Sequence, residues 1–273
     1  VGDLLGTVAG AVLLAALLSA AEWINPEDRE FGRRRDRGSR GDVIWFVVYL
    51  AYAPLTGLAT MAFVSGVARH GIARSIAARQ PWSVRVAGAV LVAELAAYWL
   101  HRAMHASPRL WRLHSVHHGA TDLHWWSTFR FHPVDGATAH AVPLLVAAAC
   151  GFGPDVVVVY LGVVFVVSAF AHADVWIPST LLDRLVVAPR FHRTHHETGC
   201  DNANFALVLP VYDHLFRTAA HTTGKRRFGT DPAIDQRSRA RPIASDERFA
   251  TQLSASAPRG SEWRRRQTRT ASR

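Results

Sequence analysis

Eight of the fifteen histidines fall into three short clusters: His101-x3-His105, His114-x2-His117-His118 and His192-x2-His195-His196. Neutral imidazole is a metal ligand. Residues three and four apart share one face of a helix, so each cluster aims two or three imidazoles at one point. Eight ligands exceed what one tetrahedral ion takes, and two metal ions are the natural inference. The clusters lie just beyond long apolar stretches, a depth at which a polar ring is costly and tends to be functional. A polar helix face arising by chance accounts for one His-x-x-His-His. It does not account for two copies plus a His-x3-His at a common boundary. Spacing leaves the metal open, since imidazole suits Zn, Cu, Fe and Ni alike. The sequence has neither the His-Glu-x-x-His of zinc hydrolases nor the Glu-x-x-His pairs of soluble di-iron bundles.

The elements that must hold these rings are helices. A bilayer span takes roughly 20 apolar residues, and stretches at about 4–21, 43–67, 83–100, 134–150 and 155–171 qualify. They predict an all-α integral membrane bundle of about five spans with a histidine-rich cap. Only Asp3 precedes the first apolar run, which therefore reads as a membrane helix rather than a secretory signal. Pro54 and Gly57 predict a tilt or kink in the second span. Gly151-Phe152-Gly153-Pro154 is a turn signal between two apolar arms. Pro133 suits a helix start, so His132 and His172 flank this hairpin at the depth of His101. Three regions follow: an N-terminal membrane region at 1–82, a histidine-bearing unit at 83–221 and a basic tail at 222–273.

The chain carries a formal net charge of +10. Arginines crowd residues 22–41, and 221–273 holds 13 Lys and Arg against 5 Asp and Glu. The positive-inside rule places both on the cytoplasmic side, and the histidine segments with them. Arg69, Arg74 and Arg79 on the other side suggest an interfacial helix or a re-entrant second span. The tail has too few large apolar residues to build a core. It reads as a solvated segment, or as one drawn to anionic headgroups. Nucleic-acid binding is not expected, because no folded basic module accompanies the charge. Cys150 and Cys200 form no C-x-x-C and suggest no disulfide framework.

Five segments between Leu100 and Thr218 carry a family resemblance: HRAMH, LWRLHSVHH, STFRFHPVDG, FAHADV and VAPRFHRTHHETGCDNANFALVLPVYDHLFRT. In type, order and spacing they resemble the fatty acid hydroxylase/sterol desaturase superfamily of membrane di-iron oxygenases. The resemblance implies two iron ions, dioxygen as co-substrate, and hydroxylation or desaturation of a C–H bond in a lipid. It implies His101, His105, His114, His117, His118, His192, His195 and His196 as ligands. His172 matches an additional histidine of the family. His132, in the Arg-x-His-Pro segment, is implied as a ligand or as a partner behind one. The chain departs at His172-Ala-Asp174, where His-Ser-Asn is more frequent, at Tyr212-Asp213, where Trp-Asp is, and at Phe216-Arg217-Thr218, where Phe-Gly-Thr is.

Other residues are expected to support the site. Glu94 lies nearly two turns before His101 on the same face. It either lines a substrate path or bonds a neighbouring helix, the structural role being preferred. Asp122, Asp135, Glu197, Asp201, Asn202 and Asn204 are candidates to take the second N–H of a metal-bound imidazole. Trp111, Trp125 and Trp126 suit an interfacial belt. His70, His124, His140, His214 and His221 fall outside the clusters and are read as non-ligands. No dinucleotide turn or iron–sulfur cysteine set is present, so electrons must come from a separate ferredoxin or cytochrome b5-like donor with its reductase. Arg109, Arg112, Arg190 and Arg193 are candidates to dock it. The rival readings are a membrane zinc hydrolase and a non-enzymatic metal transporter or sensor.

Overall fold

The computed structural model describes residues 2–27, 35–177, 182–198, 200, 202–222 and 227–230. These residues fold as helices: α1 Gly2–Ile24, α2 Arg35–Ala68, α3 Arg74–Ala78, α4 Trp82–Ala106, α5 Pro108–His118, α6 Pro133–Ala149, α7 Pro154–His172, α8 Leu182–Leu185, α9 Pro189–His195 and α10 Val211–Leu215. A short 3-10 helix occupies Trp125–Phe129. The basic residues of 28–34, Asp201 and the tail from 231 onward lie outside the described residues.

Among the described residues, four segments are long and apolar enough to cross a membrane: Gly6–Ile24, Gly41–Ala68, Trp82–Ala106 and Pro154–His172. The fifth expected span, α6, has 17 residues and falls just short. It nonetheless runs between the same two ends of the bundle as its neighbours, because Pro133 sits by the histidines and Ala149 accepts from Ile72 N–H. Helix α2 continues through Pro54. Outward-facing side chains on α1 and α2 are apolar and exposed, Leu58 at 72% and Phe63 at 68%, as suits lipid contact.

Proline fixes where the helices begin. Pro108, Pro133, Pro154 and Pro189 stand at the first positions of α5, α6, α7 and α9. The missing N–H costs nothing at that position. The preceding residue is held extended, as at Ser107 with ψ 121° and Ala188 with ψ 165°. Helix α4 packs on α6 and α7, and α2 on α6, around a core that includes Val64, Ala93, Leu144, Ala147 and Val157. Small alanines let these helices approach closely.

At the end away from the histidines, Gly71 and Gly151 bring two connections into backbone contact. A Cβ on Gly71 would lie 2.5 Å from the Gly151 Cα, and Gly151 has φ +103°. Arg85 grips the Asp155 carboxylate there at 2.7 and 3.0 Å. Helix α3 lies between, with Ile72 and Ile76 exposed, as an interfacial segment would be.

Candidate metal centre

The opposite end of the bundle collects the imidazoles. Nine histidines form two groups, His101, His105, His114, His118 and His195 in one and His117, His172, His192 and His196 in the other. Within each group the candidate ligand atoms lie within 4.8 Å of one another. The expectation that each cluster aims at one point holds only for pairs four apart. His101/His105, His114/His118 and His192/His196 stay together, but His117 parts from His118 and His195 from His196. Adjacent helical residues point about 100° apart, while residues four apart differ by about 40°. Each His-x-x-His-His thus serves both groups.

The outward nitrogens are tied to oxygen acceptors. His101 Nδ1 meets Phe205 O at 2.7 Å, His195 Nδ1 meets Ala203 O at 2.7 Å and His172 Nδ1 meets Ser168 O at 2.7 Å. His117 Nδ1 meets Arg130 O at 3.2 Å, and His114 Nδ1 meets the Asp135 carboxylate at 3.1 Å. A carbonyl or carboxylate only accepts, so each of these Nδ1 atoms donates. The Nε2 lone pair then points inward, as in metal sites.

Two such lone pairs meet face to face. His101 and His114 Nε2 are 3.1 Å apart, and His117 and His172 Nε2 are 3.3 Å apart. Two acceptors at this distance repel unless a cation lies between them. An ion held by imidazoles at about 2.1 Å spaces its ligand nitrogens by about 3.0–3.4 Å. His118 Nε2 and His195 Nε2, both buried, have no protein partner. Burial holds His195 down to about 3, and holds His117, His118, His192 and His196 well below the ordinary histidine range. Neutral rings are the ligand-competent form. The donor set therefore fits two metal ions.

His132 stands apart. Its Nδ1 accepts from Val134 N–H at 3.2 Å and caps α6, and it joins neither group. Replacing it with alanine is expected to cost about 1 kcal/mol through the lost cap and to leave metal content unchanged. Loss of an ion from that variant, read by elemental analysis, would return His132 to the ligand set. His70, His124, His140, His214 and His221 also join neither group among the described residues.

Behind the five-histidine group runs a non-helical strap, residues 203–209, which supplies the carbonyls of Ala203 and Phe205. Three acidic or amide side chains hold it. Asn204, in the left-handed region at φ 59°, donates to Phe191 O and Ala220 O, both at 2.8 Å. Asp213 accepts from Phe205 N–H and Ala206 N–H at 2.8 Å and from the Thr218 hydroxyl at 2.7 Å. Glu94 accepts from Leu207, Val208 and Leu209 N–H and from the Tyr160 hydroxyl. Glu94 thus ties α4 to the strap and to α7. Asp213 was not singled out from the sequence, although it belongs to the closing YDHLFRT segment. Arg217 has φ 58°, a conformation costing a non-glycine residue roughly 1 kcal/mol. That is the position at which the sequence departs from Phe-Gly-Thr.

Of the other residues expected to orient imidazoles, Asp135 does so directly. The Asp122 carbonyl accepts from Ser127 in the 3-10 segment. Glu197 bridges to Phe228, and Asn202 is exposed. Trp111 is buried against His105 and His118 rather than anchoring an interface. Arg193 is not available to a docking partner. It is buried, pairs with Asp174 at 2.9 Å and Glu27 at 3.1 Å, and donates to Leu123 O. Asp174 is the residue that departs from His-Ser-Asn, and this pairing gives it a role.

An apolar chamber opens beneath the two groups. Ala97, Leu100, Phe129, Val164 and Phe165 contribute to its walls. It ends on His101 and His114 of one group and on His117, His172 and His192 of the other.

The sequence of residues 86–218 matches the fatty acid hydroxylase family. That segment, just under half of the chain, is where the likeness to the fatty acid hydroxylase family lies. Among curated relatives of the chain, CER1-like 1 of Arabidopsis thaliana is 29% identical over 162 residues, covering 52% of this chain and 25% of the relative. The very-long-chain aldehyde decarbonylase GL1-6 of rice is 32% identical over 154 residues, covering 50% and 24%. The alkylglycerol monooxygenase of Danio rerio is 25% identical over 147 residues, covering 52% and 32%. The match spans about a quarter to a third of the length of these relatives. No solved structure gives a significant match.

Proposed function

We propose that this chain is a membrane-bound oxygenase that uses two irons, dioxygen and electrons from a separate donor to hydroxylate or desaturate a C–H bond of a lipid. One observation carries the reading: a single apolar chamber ends on both histidine groups at once. A zinc hydrolase needs a polar path for water to its metal, and a transporter needs a polar path for its ion. The walls of this chamber are mainly apolar, with Phe129, Phe165, Leu100 and Val164 among them, which favours neither. It suits a lipid chain or ring entering from the membrane. The relatives named for an aldehyde decarbonylase and an alkylglycerol monooxygenase support the same substrate class.

When bound, the irons supply dioxygen activation and the attack on the C–H bond. The chain's residues do the rest. His101, His105, His114, His118 and His195 would hold one ion, and His117, His172, His192 and His196 the other. The carbonyls of Phe205, Ala203, Arg130 and Ser168 fix ring tautomer and direction. Apolar walls exclude water and direct a substrate carbon toward the histidine groups. The histidine end faces the cytoplasm in this reading, where Arg109 and Arg112, both exposed, meet an acidic electron donor.

The test is elemental analysis of protein purified in mild detergent, followed by oxygen uptake with a reductant and lipid. Two irons per chain with lipid-dependent oxygen consumption is the expected result. Zinc held alone after expression with ample iron, with no oxygen uptake, would overturn it.

A further inference from the structure

The chamber wall is not wholly apolar, and two polar side chains stand together on it away from the ligands. Tyr49 of α2 and His140 of α6 both line the chamber, with ring centroids 6.4 Å apart. His140 Nδ1 meets Gly136 O at 2.6 Å, one turn back on its own helix. In the neutral ring that nitrogen donates, which leaves Nε2 as an acceptor. No protein hydrogen bond is made to Nε2 of His140 or to the Tyr49 hydroxyl among the described residues. Polar atoms in an apolar wall normally find partners, and a molecule in the chamber can supply them.

Their place relative to the metal groups is defined. Phe131 stacks on His117 at 4.5 Å, with planes 4° apart. His140 lies 6.3 Å from the same Phe131 ring between centroids. Phe131 thus touches both His140 and a ring of the four-histidine group. The pair offers one donor, Tyr49 O–H, and one acceptor, His140 Nε2. An alcohol carries the complementary pair, since its oxygen accepts and its hydrogen donates. An ether or an aldehyde only accepts, and an alkane does neither.

We propose that Tyr49 and His140 are specificity-determining residues that hydrogen-bond a hydroxyl group of the lipid substrate inside the chamber on which both histidine groups end. The inference rests on the lipid-oxygenase reading and narrows it to an alcohol-bearing lipid.

The experiment is equilibrium dialysis of the full chain, purified with iron, against micelles containing labelled 1-hexadecanol, its methyl ether or hexadecane. Wild type is expected to prefer the alcohol over the alkane by about tenfold, as two neutral hydrogen bonds allow, with the ether between them. His140→Leu and Tyr49→Phe should each cut that preference by severalfold. His140→Gln, which keeps an acceptor at similar reach, should retain most of it. Hexadecane binding and iron content should be unchanged throughout, which separates lost recognition from lost folding. Equal binding of alcohol and alkane by wild type, or a preference that survives the double variant, would overturn this inference and leave the oxygenase reading standing. No binding of any of the three would overturn both.

Discussion

Replacing His172 by alanine is expected to strip an ion from the protein and to lower lipid oxidation by more than about 100-fold, beyond the 10–100-fold typical of losing a partner behind a ligand. His172 lies outside the three clusters, yet its Nε2 is 3.3 Å from His117 Nε2 and 3.2 Å from His192 Nε2. It is one of four rings in the smaller group, and its loss leaves three imidazoles there. His195→Ala, by contrast, leaves four in the larger group. Iron per chain should therefore fall further in the His172 variant than in the His195 variant. Elemental analysis of both, beside wild type, makes the comparison. If His172→Ala keeps the full complement of iron, His172 is not a required ligand and its place in the four-histidine group falls.

The contrast between these variants shows what the sequence made legible and what it did not. Ligand pairs four apart are a local property of one helix, so His101/His105, His114/His118 and His192/His196 were readable from spacing alone. The turn of about 100° between neighbours parts His117 from His118 and His195 from His196, but which group each joins was not readable. That depends on how α5 and α9 are rotated against α4 and α7, and no spacing encodes it. The five apolar segments also read correctly as helices, although α6 is shorter than a standard span. The groups behind the rings were the least visible. Four of the five acceptors that orient Nδ1 atoms are backbone carbonyls, and every residue type has one. Asp135 was legible because it is a side chain. Arg193 was misread because a basic residue beside a cluster looks like a docking site until its buried partners, Asp174 and Glu27, are placed beside it.

The second large effect is expected at Glu94, which touches no histidine. Its carboxylate is fully buried and receives Leu207 N–H at 2.8 Å, Val208 N–H at 2.7 Å and Leu209 N–H at 3.1 Å, with the Tyr160 hydroxyl at 2.9 Å. Glu94→Ala would leave three backbone donors and a hydroxyl without partners in an apolar core. Each buried unsatisfied group costs roughly 1–3 kcal/mol, so the total rivals the net stability of about 5–15 kcal/mol typical of a folded protein. The damage should reach the metals in a defined order. The strap freed by this change carries Phe205 O and Ala203 O, which orient His101 and His195, so the five-histidine group should lose its ion first. Glu94→Gln tests whether the carboxylate is an anchor or a proton carrier. The glutamine oxygen still accepts the three N–H groups, and its NH2 donates to Tyr160, whose hydroxyl can turn to accept. Thermal unfolding in detergent and iron content should therefore stay near wild type in Glu94→Gln and fall steeply in Glu94→Ala. A Glu94→Gln protein that is folded and iron-loaded but inactive would instead make Glu94 a proton-transfer group. A stable, iron-replete Glu94→Ala protein would remove its role as the anchor of the strap.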